Sequence, residues 1–369
     1  MSSGPFLRRV VIENYRSIES CNVELGPVTI LVGPNGSGKS NFLDAIRFVS
    51  DALRTSLAQA IRDRGGIKEI RRRSPGDPDT FAIRLEFHLP NGHSGHYAFR
   101  LRFKGGAGFE VYREQLYVSG ATRLRSGEPT KELALIRYPV AWDVYRALAR
   151  IAHYNLNPGR ISDTQIPDDG DFLLGDGGNA SSVLRALSPV KVQRVERYLQ
   201  QITPGVEGVE SVTVGHKEVI RFHQRHGRMT NAFYADSMSD GTLRAFAILL
   251  ALFQSPDRPL PLIAIEEPEA ALHPGTAAVF LDAFREVSDS TQVLITSHSP
   301  DLLDEIDLER ETLLAVHSED GNTQIAPIDQ ASRKVVRKGL YTPGELLRLN
   351  QLAPDQQAIK PALIFEDGE

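Results

Sequence analysis

Gly33-Pro34-Asn35-Gly36-Ser37-Gly38-Lys39-Ser40 (GPNGSGKS) is the stretch from which the rest of the chain is read. It fits G-x-x-x-x-G-K-[ST]: glycines let backbone N–H groups close on phosphate oxygens, the lysine reaches the β- and γ-phosphates, and the hydroxyl ligates Mg²⁺. Just before it, Val28 to Val32 is an apolar, β-branched run; just after it, Phe42, Ala45, Ile46 and Val49 recur at helical spacing. A strand, a glycine loop and a helix N-terminus in that order form an anion site.

The 369 residues leave room for one large domain or two, and 41% hydrophobic residues are enough for an ordinary globular core. A net charge of −5 gives no chain-wide basic footprint for nucleic acid. Two local basic stretches, Arg71 to Arg73 and Arg221 to Arg228, leave nucleic acid open as a partner. Cys21 is the lone cysteine, which excludes a disulfide framework and a multi-thiolate zinc site and predicts a reducing, cytoplasmic compartment. The opening residues lack the apolar core of a signal peptide, and the longest apolar run, Ala245 to Phe253, is too short to span a bilayer. No membrane partner is expected.

Strand patterning over Leu7 to Asn14 and Asn22 to Leu25 leads into the Val28 to Val32 strand, and the helix after the loop should run to about Leu53. Past the turn-rich residues 74 to 79, hairpin strands are predicted over Phe81 to Leu89 and Tyr97 to Phe103, with a third over Val111 to Val118. A helix is expected over Ala141 to Ala152. Two more, Ala180 to Leu187 and Val190 to Ile202, should break at Ser188-Pro189, with strands near Val209 to Val214 and Glu218 to Phe222. From Ser239 to Val316 helices and strands alternate: helix 243–252, strand 262–265, helix 277–287, strand 293–296. That alternation argues for parallel strands in an α/β sheet. Thr342-Pro343-Gly344-Glu345 in the tail carries a capping-box start.

A nucleotide site must also hold Mg²⁺ and an attacking water. Leu262 to Ile265 is an apolar strand ending in Glu266 and Glu267. Successive side chains at a strand end diverge, so Glu266 is assigned to the Mg²⁺ shell and Glu267 to general base or water orientation. The histidines at 88, 93 and 96, and at 223 and 226, suggest no complete ligand set and read as solvated.

The order GPNGSGKS, SMSDGT (237–242), LIAIEEPEAALHP (262–274) and ITSHSPDLLD (295–304) resembles an ATP-binding-cassette ATPase of the RecF/SMC-like branch; IENYRSIE (12–19) is similar to that branch's opening segment. The resemblance implies an α/β ABC-ATPase head, a P-loop NTPase with a mixed sheet, built from residues 1–53 and 236–317. A β-rich arm and helical lid would be inserted over 54–235, and a tail would follow over 318–369. It implies two copies facing head to tail, with ATP between the loop of one and Ser239 and Gly241 of the other. Asn35, Gly36, Ser37, Gly38, Lys39, Ser40 and Arg16 would then contact nucleotide, His298 would be the switch histidine at the γ-phosphate, and Ala271 to Pro274 would cross the dimer interface. Asp240 stands where transporter cassettes carry glycine, which weighs against a transporter motor. Gln59, Gln115 and Gln165 are equal candidates for the family's glutamine loop.

Residues 362 to 369 are similar to the first strand of the Toprim nuclease domain that follows the ATPase in overcoming-lysogenization-defect proteins. A metal nuclease needs further acidic motifs, so no cutting activity is expected of these residues. The expectation is an ATP- and Mg²⁺-dependent switch that dimerises and holds a separately encoded effector, as in anti-phage defence. A RecF-like DNA-binding ATPase in repair or recombination is the alternative.

Overall fold

The computed structural model describes residues 5–73, 78–105, 108–119, 122–126, 129–138, 141–254, 260–270 and 273–365, with backbone alone for 122–126 and 226. Residues 74–77 of the expected turn, Ala271 and Leu272 of the expected interface loop, and 366–369 of the tail lie outside them. By contact the chain divides into two units, Met1–Ile151 with Asp307–Glu369, and Ala152–Ile306. The borders expected from the sequence fall at residues 53, 235 and 317.

In the first unit, alternating apolar residues build an antiparallel sheet. Its strands are β1 (Leu7–Tyr15), β2 (Ile18–Glu24), β4 (Thr80–His88), β5 (Ser94–Lys104), β6 (Gly108–Val118) and β7 (Thr122–Ser126), in the order β2-β1-β4-β5-β6-β7. β1 is paired on both edges, Val10 opposite Val23 on one side and Leu85 on the other. The β-rich arm expected after residue 53 is therefore built onto the opening strands as one sheet. β3 (Val28–Val32) stands apart from this sheet and is buried along its whole length, as a strand covered on both faces must be.

The helix after the loop, Lys39–Arg54, turns Phe42, Ala45, Ile46 and Val49 inward as its spacing predicts. It packs on the sheet through an aromatic cluster in which Phe48 meets Tyr15 and Phe81 at ring distances of 6.0 and 5.5 Å. Tyr15 and Phe81 are themselves 5.4 Å apart, edge to face. Beside the cluster, the Arg64 side chain is almost wholly buried, with its Nε 2.9 Å from Asp44 and its Nη2 3.0 Å from Asp51.

The second unit opens with β8 (Ala152–Tyr154), where the sequence had suggested the end of a helix; that helix stops at Ala149. β9 (Val206–Val214), β10 (Lys217–His226) and β11 (Met229–Tyr234) form an antiparallel sheet of their own. β12 (Leu262–Glu266) lies parallel to both β8 and β13 (Gln292–Ser297), the arrangement foreseen from the α/β alternation. The helices Ala180–Ala186 and Pro189–Ile202 break at Ser188 as expected.

Residues 307–369 return to the first unit. β14 (Thr312–Glu319) runs parallel to β3, and β15 (Asn322–Pro327) antiparallel to β14, so this sheet is mixed. The Thr342 capping box is present. Ile364 and Phe365 are buried against Val11, Ala82 and Ala98 of the antiparallel sheet. His96 is a correction: read as solvated, it is buried and stacked on Tyr117. No described helix is long and apolar enough to cross a membrane.

Phe48→Ala should lower unfolding free energy by about 3–5 kcal/mol, measured by urea denaturation. Asp51 gives a pH signature. Burial alone would raise its carboxyl, but the hydrogen bond from Arg54 and the charges of Arg64 and Arg47 outweigh it and hold it below its ordinary value. Its contribution to stability is thus present above the unfolded pKa, about 3.9, and is lost as pH falls through the lower folded value. Asp51→Asn should flatten the acid limb of the stability profile below about pH 4 and lower stability at neutral pH.

Candidate functional site

The loop residues sit where strand patterning and glycine chemistry put them. Gly33 to Gly38 leave the end of β3, and Gly38 caps the helix Lys39–Arg54 with φ +104°. Two of the loop's close approaches exclude any side chain: a Cβ on Gly33 would lie 2.1 Å from the Val316 carbonyl oxygen, and one on Gly38 2.1 Å from Thr323 Oγ1. A directed chain of hydrogen bonds ties the loop to the same strands. Asn41 Nδ2 donates to Ser17 Oγ at 2.6 Å, Ser17 and Thr323 hydroxyls meet at 2.7 Å, and Thr323 Oγ1 donates to the Ser37 carbonyl at 3.0 Å.

Lys39 is buried, and its Nζ donates to the carbonyls of Gly33 at 2.7 Å and Pro34 at 3.0 Å. Its charge is fixed inside the turn. Ser37 Oγ is buried with no hydrogen-bond partner, which leaves a polar group in the loop unsatisfied by protein. Asn35, Gly36 and Ser40 are exposed on the loop and at the start of its helix. A buried ammonium, an unsatisfied hydroxyl and a cradle with no room for Cβ atoms fit a phosphate chain.

Arg16, the other expected nucleotide contact, has φ +50° and places Nη2 2.8 Å from Asp44 on the loop helix. Asp44 also accepts from Tyr15 Oη at 2.6 Å and is paired with Arg64. The structure thus ties Arg16 to the flank of the loop helix.

In the second unit the acidic strand end gathers more residues than the sequence indicated. Glu266 closes β12, and Glu267 follows with φ +44°, a left-handed conformation costly for a residue with a Cβ. Its N–H donates to Thr296, to the carbonyl at 3.1 Å and Oγ1 at 3.2 Å. Arg244 spans the back of this turn: Nη2 donates to the carbonyls of Glu266 and Glu267, both at 3.2 Å, and Nη1 to that of Leu156 at 3.0 Å. Burial lowers the Arg244 guanidinium below its ordinary value although the surrounding glutamates pull it up.

His298 is half-exposed, with Nδ1 3.5 Å from Glu267 Oε1 and 3.8 Å from Glu269 Oε1. Ser239 caps the helix Asp240–Phe253 by accepting from the Thr242 N–H, and Gly241 lies in that helix's first turn. Arg244 is one turn further along the same helix, which links the SMSDGT segment to the acidic turn. His273 accepts from the Gly275 N–H and so shapes the turn before the helix Ala277–Ser288. Sequence reasoning missed Arg244 and Glu269; the third carboxylate of EEPE was the available signal for Glu269, and nothing local marked Arg244. Among the described residues there is no His/Cys/Asp/Glu group of metal-binding geometry.

Residues 28–304 match the family model described as "AAA domain, putative AbiEii toxin, Type IV TA system". The chain belongs to this AAA-domain family. Its kinship with P-loop ATPases of the SMC, RecF and OLD type follows from the relatives. The OLD nuclease of Thermus scotoductus is 27% identical over 327 residues, covering 80% of this chain and 59% of that protein. The chain therefore spans a little over half the length of that relative. Structural maintenance of chromosomes protein 1 of Schizosaccharomyces pombe is 31% identical over 118 residues, 29% of this chain and 10% of its own. Among solved structures, the Smc head domain of Pyrococcus yayanosii aligns with a TM-score of 0.60 at 10% identity, covering 91% of this chain and all of that one. An Smc head bound to the C-winged helix domain of ScpA aligns at 0.59 and 16%, covering 89% and 99%. These show an ABC-ATPase P-loop head fold for this AAA-family chain. The family uses ATP and, usually, Mg²⁺.

Gly38→Ala should weaken nucleotide binding by about tenfold or more and cost over 1 kcal/mol of stability, because φ and space both forbid the methyl. Fluorescent-nucleotide titration and urea denaturation would measure the two.

Proposed function

We propose that the chain is an ATP-hydrolysing switch that closes as a head-to-tail homodimer and controls a separately encoded effector, in the setting of defence against phage. The observation that carries the ATPase reading is Lys39, buried and turned onto the carbonyls of its own glycine loop, beside the unsatisfied hydroxyl of Ser37. Lys39 and the loop N–H groups bind and orient the phosphates, and Ser40 and Glu266 are the oxygen donors for Mg²⁺. When bound, Mg²⁺ neutralises charge on the phosphate oxygens. Glu267 takes a proton from the attacking water, and His298, 3.5 Å from that carboxylate, contacts the γ-phosphate. Ser239 and Gly241 serve the γ-phosphate of the other copy's nucleotide from a helix N-terminus, where an anion is favoured.

The homodimer and effector follow from the resemblance to ATPases that act in pairs, and the placement of Ser239 at an exposed helix start supports it. An OLD nuclease among the relatives supports the defence setting by analogy alone. Residues 54–235 are proposed to serve as the arm and lid of the head. A second reading, a DNA-engaging ATPase, rests on a specific match: a DNA replication and repair protein RecF of Vibrio vulnificus is 46% identical over 41 residues, 11% of each chain. DNA-stimulated turnover with a steep salt dependence would favour it. Cytoplasmic localisation goes with either reading.

Glu267→Gln should keep nucleotide affinity within about twofold, slow ATP turnover by about a hundredfold or more, and accumulate an ATP-bound dimer on size exclusion. Lys39→Ala should abolish nucleotide binding. A Glu267→Gln protein that stays monomeric with ATP while wild type dimerises would sink the switch, and copurification with Glu267→Gln under ATP would show whether the partner is protein or nucleic acid.

A further inference from the structure

Glu269 is unassigned by the family resemblance, yet it makes more contacts to the switch-histidine segment than Glu267 does. Its Oε1 accepts from Ser297 Oγ at 2.7 Å and from the His298 backbone N–H at 3.1 Å, and it lies 3.8 Å from His298 Nδ1. Ser297 Oγ in turn accepts from the Ser299 N–H at 3.0 Å, so one carboxylate oxygen anchors the whole Ser297-His298-Ser299 turn. The Glu269 side chain is 14% exposed, whereas the His298 ring it underlies is 43% exposed. A largely buried anion beneath a partly exposed imidazole is placed to fix the ring's backbone and to bias its orientation.

The remaining oxygen, Oε2, is buried with no hydrogen-bond partner. Leaving a buried carboxylate oxygen unsatisfied is unfavourable, so packing alone gives no reason for a glutamate here. Glu269 also lines a cavity of about 50 Å³ with His273, Thr276, Ser299 and Asp301, which is large enough for a water at that oxygen. The carboxylate therefore stands between the His298 turn and the His273-Pro274 turn, the two segments that flank the acidic strand end.

We infer that Glu269 is a positioning residue for ATP hydrolysis: it holds His298, through the Ser297 hydroxyl and the His298 amide, at the distance from Glu267 that the chemical step requires. The inference rests on the ATPase reading above. It does not assign Glu269 to nucleotide binding, to Mg²⁺ or to proton abstraction. Glu267 and His298 remain the groups that face the reacting phosphate, and Glu269 acts through His298.

The test is a double-mutant cycle with a nucleotide-independent control. Glu269→Ala should lower kcat by about tenfold or more while leaving nucleotide Kd within about twofold, and Glu269→Gln, which keeps an acceptor oxygen for both donors, should recover most of the rate. In a His298→Ala background, Glu269→Ala should cost less than about twofold further, because the group it positions is gone. Equal losses in both backgrounds, or a loss of nucleotide affinity in step with kcat, would overturn the inference. If Glu269→Ala does not fold, Ser297→Ala removes one of the two donors and should show the same non-additivity at about threefold. Hydrogen exchange without nucleotide separates the two levels of the proposal: the His298 amide should exchange at least about tenfold faster in Glu269→Ala than in wild type. Unchanged exchange rejects the positioning role even if ATP is hydrolysed; faster exchange in a protein that hydrolyses no ATP upholds the anchor and rejects the ATPase reading.

Discussion

The phosphate loop is pressed so closely against β14 and β15 that neither Gly33 nor Gly38 has space for a methyl group, and this contact fixes the surrounding geometry. The Val316 carbonyl and the Thr323 hydroxyl define the outer wall of the loop, and the Asn41, Ser17 and Thr323 hydrogen bonds hold that wall to the first turn of the helix. Because β14 is parallel to β3, the strand that supplies the wall is also the strand that buries one edge of the loop's own strand. Residues 286 positions apart thus set the loop's shape, since Thr323 and Ser37 bond directly. An anion site of this kind depends on backbone N–H directions, and these are rigid only when the backbone cannot shift.

Fixing the helix matters as much as fixing the loop. Phe48 in the aromatic cluster and Asp44 and Asp51 in the arginine network attach two faces of Lys39–Arg54 to the antiparallel sheet and its connections. The apolar contact supplies most of the stability, and the buried ion pairs contribute orientation, since desolvating them offsets much of their attraction. Arg16 belongs to this network through Asp44, which accounts for its position without reference to a ligand.

Much of this was legible in the sequence. GPNGSGKS, the buried run Val28 to Val32, the strand ending in Glu266-Glu267 and the break at Ser188-Pro189 all have local causes: glycine conformations, β-branched runs, a proline at a helix start. What escaped has non-local causes. β11 reads Met-Thr-Asn-Ala-Phe-Tyr and is largely exposed, so no apolar alternation marks it; it is a strand because β10 pairs with it residue for residue. His96 looked like a turn histidine, but the register of β5 against β6 places it opposite Tyr117 and under cover. Arg244 lies in a helix whose stripe is otherwise apolar, and only the folded chain shows its guanidinium on the carbonyls of Glu266 and Glu267. The pairing of β4 with β1 is likewise set across a long connection and has no local mark in the sequence.

The glycine loop and the acidic turn are held by different kinds of force. The loop is held by exclusion: Gly33 meets the Val316 backbone carbonyl, and Gly38, at φ +104°, meets the Thr323 side chain, at distances that leave no room for a Cβ. The acidic turn is held by polar contacts around a left-handed Glu267, whose strain of about 1–2 kcal/mol is offset by Arg244 on the carbonyl side and Thr296 on the amide side. Hydrogen bonds of this kind contribute about 1 kcal/mol net where both groups are neutral and about 1.5–3 kcal/mol where a guanidinium donates. The glycine loop is thus fixed by close backbone approach, whereas the acidic turn rests on a few directed hydrogen bonds to Arg244 and Thr296.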